Sequence, residues 1–422
     1  MLYELWLETV RTHPREVALW ELSSGRTWRF LELLEEAERQ KFEPGCCSYP
    51  QGHSAEFIMA VLRAWRVGSL VCPLEPEQKP PRVPRPPRHC CHLKITSASS
   101  GRPSLIAFTG EQLRADVQNI CSTMGLRREW PNLGAISLAH SYGFSSLVLP
   151  LLLEGIPLAL APSPLPEVIR KAADGFPSLT LAAVPALWRA WHDASCIPRS
   201  VRLAISAGSP LSLELEQSVF SKHGLKIHNF YGASECGGIA YDDSTVPRTE
   251  DAFVGRPMNN VRLGLGPDQC LIVHSQAVGE TYWPEGDGRL GSGNFQTNDI
   301  AELRSNGVCL RGRLGDRINV AGRKIAPETI EQALRAHPKV DACLVFGSPV
   351  PNGERNEMIV ACLVSDATAE ELKHFLLERL PAWQVPRDWW FVESLPSNQR
   401  GKISRAEWAG RYQKKTSGPR AS

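Results

Sequence analysis

A run of small and hydroxylated residues, Ile95-Thr96-Ser97-Ala98-Ser99-Ser100-Gly101-Arg102-Pro103-Ser104, lies between strand-like flanks. Backbone N–H groups and hydroxyls in such a loop can wrap the oxygens of a phosphate. A plain surface loop has the same composition, so the segment does not decide the matter alone. Further on, Gly312-Arg313-Leu314-Gly315-Asp316-Arg317-Ile318-Asn319-Val320-Ala321-Gly322-Arg323-Lys324-Ile325 sets a glycine between an Arg-bearing turn and a charged hairpin. A glycine so placed suggests a hinge.

Together with Thr297-Asn298-Asp299 upstream and Leu395-Pro396-Ser397-Asn398-Gln399-Arg400-Gly401-Lys402 near the C-terminus, this order of segments resembles the adenylate-forming superfamily of acyl- and aryl-CoA ligases, adenylation domains and luciferases. The family's phosphate loop, Thr-Ser-Gly-Ser/Thr-Thr-Gly-x-Pro-Lys, aligns without a gap on residues 96–104, so the resemblance implies nucleotide contacts at Thr96, Ser97, Ser99, Ser100 and Gly101. Ala98 replaces a glycine, and Ser104 stands where the family has a lysine, which removes one ammonium-to-phosphate contact.

The other carried-over positions follow in chain order. His140-Ser141-Tyr142-Gly143-Phe144 resembles the segment beside the acyl pocket, with His140 bordering the substrate; a capping turn is the plain alternative. Ser206-Ala207-Gly208-Ser209-Pro210-Leu211 looks like the turn whose backbone approaches adenine and acyl group, at Ala207 and Gly208. Tyr231-Gly232-Ala233-Ser234-Glu235 resembles Tyr-Gly-x-Thr/Ser-Glu. Tyr231 offers a ring to stack on adenine beside Gly232, and Ser234 a hydroxyl to the α-phosphate. Glu235 offers a hard oxygen ligand for Mg²⁺. Gly237 and Gly238 would line the acyl pocket. Asp299 would accept the ribose hydroxyls, with Arg313 reaching ribose or phosphate. Gly315 takes the pivot position and Gly322 lies in the hairpin implied to shape a thiol channel. Lys402, in a complete Leu-Pro-x-x-x-x-Gly-Lys-x-x-Arg match through Arg405, would bridge the substrate carboxylate and the α-phosphate. A cation there lowers the barrier to joining two anions.

Those residues need elements to hold them. Residues Ser54 to Trp65 carry Phe57, Ile58, Val61, Leu62 and Trp65 on one helical stripe before the strand-like 69–73. Similar helix–strand pairings occupy 165–185 and 201–230, which argues for an α/β core of largely parallel strands. After Pro327 the pattern changes to two helices and three strands, a small α+β unit, ending in a basic tail after Tyr412 expected to fray. The expected fold is therefore a large N-terminal domain of packed mixed and parallel sheets with helices, residues 1–314, and a small mobile C-terminal lid, residues 315–422, carrying Lys402.

The chain has 422 residues, 42% of them apolar and 22% charged, enough for a large core. A net charge of +2, from 47 basic and 45 acidic residues, gives no global field that would point to nucleic acid or an anionic membrane. Twelve cysteines lack a disulfide or zinc-ribbon spacing, and free thiols in a reducing cytoplasm are the better reading even at Cys90-Cys91-His92. No export signal is legible at the start, and the apolar run 147–153 is too short to span a bilayer. The resemblance implies activation of a small carboxylic acid with ATP and Mg²⁺, then transfer to the pantetheine thiol of coenzyme A or an acyl carrier protein. Two alternatives stay open: a non-thiol acceptor, and a nucleotide-binding homologue without turnover.

Overall fold

The computed structural model describes all residues except 45–46, 83–86, 88, 97–103, 321–322, 351–356, 397–403 and 418–422. The chain divides into two compact units: residues 1–264, 272–296 and 303–308, and residues 265–271, 297–302 and 309–422.

The first unit holds a long mixed sheet. Its strands run in the order Phe253–Pro257, Gly237–Tyr241, Ile227–Ala233, Val201–Ser206, Leu179–Ala183, Asn132–Gly134, Leu158–Leu160, Val17–Glu21 and Arg26–Arg29. Pairings are parallel from Ile227–Ala233 through to Val17–Glu21 and antiparallel at both ends of that run. Parallel neighbours need a crossover, and the helices Pro166–Ala173, Pro185–Asp193 and Leu213–His223 supply it. Proline opens the first two, where a missing N–H costs nothing. Ser212 caps the third by accepting the Leu215 N–H at 3.3 Å. Trp188 and Trp191, both fully buried and edge-on at 5.3 Å, anchor the core under these strands.

A second sheet in the same unit orders Thr281–Trp283, Leu105–Thr109, Cys90–Ile95, Leu70–Val71 and Cys47–Ser48. The strands Cys90–Ile95 and Leu105–Thr109 form an antiparallel hairpin whose connection is the Ser/Gly-rich segment. His92 does not present its ring to solvent; it packs at 4.4 Å on Phe144.

The second unit contains a three-stranded sheet, Val340–Pro349, Glu357–Ser365 and Asp388–Phe391, backed by helices Pro327–Arg335 and Ala369–Leu377. Ile330, Leu334, Val345, Ala361, Leu372 and Leu376 fill the space between. The tail expected to fray after Tyr412 instead continues a helix, Arg405–Ser417. Trp408 and Tyr412 are the cause: both are buried against Phe346 and Trp390, and the Tyr412 hydroxyl donates to Asp388. Trp408 and Tyr412 stand one turn apart, with Ala409 packed beside them, a short apolar stripe in an otherwise polar and basic segment.

Arg405 opens this helix and is the charged hub of the unit. Its guanidinium donates to Asp316 at 2.8 Å, to Glu328 at 2.8 Å, to both Glu331 oxygens at 2.9 Å and to the Val345 carbonyl at 3.1 Å. Burial works against its charge, yet Glu331, Glu328 and Asp316 outweigh it and hold its pKa above the ordinary value. Removing one partner of a buried pair strands the other. Arg405→Ala should therefore destabilise this unit by about 3 kcal/mol. The measurement is hydrogen exchange of the amides in Val340–Pro349 against urea, and unchanged protection would refute the assignment.

Candidate functional site

The hairpin Cys90–Ile95/Leu105–Thr109 fixes the ends of the Ser/Gly-rich segment. Ile95 faces Leu105, and Thr96 closes the turn by donating its N–H at 2.9 Å and its hydroxyl at 3.2 Å to the Ser104 carbonyl. Ser97, Ser99, Ser100 and Gly101 lie outside the described residues, as do Gly322 and Lys402.

The strand Ile227–Ala233 carries Tyr231 and Gly232 and turns back through Ser234 and Glu235 into Gly237–Tyr241. Gly232 faces Gly238 and Ala233 faces Gly237, with a register shift between Tyr231 and Gly232. Glu235 is pinned at this turn. Its backbone carbonyl accepts the Gly279 N–H at 2.8 Å, and its carboxylate accepts the Tyr282 hydroxyl at 3.0 Å. Tyr282 sits opposite Ile106 in the strand next to the hairpin. The structure thus brings Glu235 to the strand pair from which the Ser/Gly segment emerges. Burial first, and then the Glu235 carboxylate, push the Tyr282 phenol far above its usual value, so it remains a donor. Cys236, next in sequence, is fully buried, and burial raises its thiol well above the ordinary range.

One buried carboxylate joins three of the segments singled out by sequence. Asp116, 2% exposed, lies on helix Gly110–Met124 and pairs with Lys94, 3% exposed, at 3.6 Å. It also accepts the Ser145 hydroxyl at 2.6 Å and the Gly238 N–H at 3.3 Å. Lys94 stands two residues before Thr96, Ser145 five after His140, and Gly238 three after Glu235. Lys94 also donates to Ser145 at 3.3 Å and lies 4.5 Å from the Phe108 ring centre.

The His140 segment touches the same strand ends. Tyr142 donates its hydroxyl to the Ile205 carbonyl at 3.4 Å and its ring lies 5.8 Å from Phe230, the neighbour of Tyr231. Ile205 precedes Ala207 and Gly208 by two and three residues; Ala207 is buried and Gly208 takes a φ of +90°. His140 Nε2 lies 3.1 Å from Glu75 Oε1, which also accepts the Ser137 hydroxyl at 2.7 Å.

In the second unit, Arg313 Nε and Asp299 Oδ1 form an ion pair at 2.8 Å, and the Thr297 hydroxyl accepts the Asp299 N–H at 3.0 Å. Gly315 lies in the short turn Leu314–Asp316 with open space where a Cβ would project.

Sequence reasoning missed Tyr282, Asp116 and Glu75. Tyr282 sits in a three-residue strand, too short to show alternation, and Asp116 on a helix that reads as amphipathic. Glu75, ahead of Pro76, had no local pattern at all.

Gly237 is bound to its place by geometry. Its φ is +68°, and a Cβ there would fall 1.9 Å from an Asp116 carboxylate oxygen. Gly237→Ala should lower stability by about 2 kcal/mol or more, because backbone strain adds to displacement of a buried ion pair. Thermal melts compared with Gly175→Ala, where a Cβ meets nothing within 4 Å, test this; equal melting temperatures would refute it.

The family model of AMP-binding enzymes matches residues 71–283, and the model of the AMP-binding enzyme C-terminal domain matches residues 329–402. A feruloyl-CoA synthase from an Amycolatopsis species is 28% identical over 359 residues, covering 80% of this chain and 72% of that protein. A 2,3-dihydroxybenzoate-AMP ligase from Bacillus subtilis is 30% identical over 345 residues, 74% of this chain and 62% of that protein. Among solved structures, o-succinylbenzoate coenzyme A synthetase from Bacillus subtilis, in complex with ATP and magnesium, superposes with a TM-score of 0.81 over 96% of this chain and 98% of that one. At 18% identity that likeness concerns the fold. A match that begins at Val71, takes in the Ser/Gly hairpin and the Glu235 turn and resumes in the second unit settles the question of kinship: this chain belongs to the AMP-binding enzyme family.

Proposed function

We propose that the protein is an AMP-forming acid–thiol ligase that activates a carboxylic acid with ATP and passes the acyl group to a pantetheine thiol. The observation that carries the reading is the Glu235 turn, held by Tyr282 against the hairpin that presents the Ser/Gly segment. Both relatives are named for aryl acids, and an aryl acid is the substrate class this reading favours.

In the first half-reaction a carboxylate oxygen attacks the α-phosphorus, a P–O bond breaks, and pyrophosphate leaves with acyl-AMP remaining. Backbone and hydroxyl donors of residues 96–101 and Ser234 hold the phosphates, while Tyr231 stacks on adenine beside Gly208 and Gly232. Asp299 accepts the ribose hydroxyls and Arg313 contributes positive charge next to it. Glu235 suits Mg²⁺, which takes one or two carboxylates plus phosphate oxygens, and when bound that ion screens charge on the triphosphate. Ala207, His140, Gly237 and Gly238 border the acid. Lys402 stabilises the approach of carboxylate to phosphate. In the second half-reaction a thiol sulfur attacks the acyl carbon, the bond to AMP breaks, and the thiol proton is lost. Gly315 serves as the pivot and Gly322 borders the thiol path in this step. Coenzyme A and an acyl carrier protein offer the same pantetheine thiol.

Two substitutions test the scheme. Lys402→Ala should abolish acyl-AMP formation, read as acid-dependent pyrophosphate exchange into ATP, while thiolysis of supplied acyl-AMP persists. Equal loss in both half-reactions would remove Lys402 from its assigned step. Tyr282→Phe deletes one hydroxyl and leaves the ring; the KM for Mg-ATP should rise roughly tenfold as Glu235 loses its donor. An unchanged KM would show that Glu235 needs no such support.

A further inference from the structure

Beside His140 stands a carboxylate that the scheme above does not use. Glu75 follows the strand Leu70–Val71, and its loop is fixed from outside: Gln51 Nε2 donates to the Glu75 carbonyl at 3.0 Å and to the Gln78 carbonyl at 2.9 Å. The Leu74 N–H donates to the Pro50 carbonyl at 2.9 Å. Glu75 is therefore a placed group on a rigid support.

Its two oxygens are used unequally. Oε1 takes both the Ser137 hydroxyl, at 2.7 Å, and His140 Nε2, at 3.1 Å. Oε2 receives no hydrogen bond from any described residue. The side chains of Glu75 and His140 are 27% and 31% exposed, so the pair opens onto accessible space. A carboxylate oxygen left available, next to the histidine that borders the acid, accepts strongly from O–H or N–H. A plain hydrocarbon entering there would cover the oxygen and give nothing back, which costs free energy.

We propose that Glu75 selects, for this same adenylation site, carboxylic acids that carry a hydroxyl or amino substituent over their unsubstituted parents. Glu75 Oε2 accepts the substituent's proton donor, and Ser137 and His140 hold the carboxylate in position through Oε1. The inference rests on the acid-activating reading given above.

The test is acid-dependent pyrophosphate exchange into ATP by the full chain, with each parent acid run beside its substituted forms. The pairs are benzoate with the three hydroxybenzoates and three aminobenzoates, cinnamate with 4-hydroxycinnamate, and hexanoate with 6-hydroxyhexanoate. In the unaltered protein, kcat/KM for the best substituted acid should exceed that of its parent by about tenfold or more. Glu75→Ala should bring that ratio close to one, and Glu75→Gln, which keeps shape and one acceptor, should leave it between. The ratio is internal to each variant, so a general loss of folded protein cancels. A ratio that stays unchanged in Glu75→Ala, or a protein that favours the unsubstituted parents, overturns the inference and leaves acid activation standing. Absence of exchange with every acid in the unaltered protein overturns acid activation itself, and the selectivity with it.

Discussion

The site depends on one buried charge. Asp116 sits in the interior with almost no exposure, where an isolated carboxylate would be expensive to hold. Its position is tolerable because Lys94, Ser145 and the Gly238 N–H all turn toward it. Each of those partners belongs to a different segment with chemical work assigned to it. The cost of burying Asp116 therefore falls on any arrangement in which one segment slips, and the three are held in mutual register. Gly237 completes the constraint, since only a residue without a Cβ leaves room for the Asp116 oxygen.

A comparable arrangement governs the second unit. Arg405 gathers Asp316, Glu328 and Glu331, so the start of the last helix, the residue after Gly315 and the helix Pro327–Arg335 share one guanidinium. Five donors in a fixed fork suit Arg to such a hub better than Lys. Lys402 is three residues upstream of that anchor in the sequence.

Much of this was legible in the chain of letters, and unevenly. The strand Val201–Ser206 and the helix beginning at Pro327 fall where periodicity and proline put them. The resemblance around Tyr231 to Glu235 was readable because its residue types are contiguous, and the family match spans that segment. Asp116, Tyr282 and Glu75 were not, for a common reason. Each acts across a large separation: 122 residues to Gly238, 47 to Glu235 and, in the case of Glu75, 62 to Ser137. Sequence patterns report what lies one turn or one pleat away. Long-range partners appear only when the sheets are assembled.

The closure of the Ser/Gly hairpin carries a consequence of its own. Thr96 grips the peptide oxygen of residue 104, and nothing in that clasp consults the side chain. The loop keeps its ends together whichever amino acid stands there. The contact that closes the hairpin ends on a main-chain atom, so it can outlast a change of the side chain at that position.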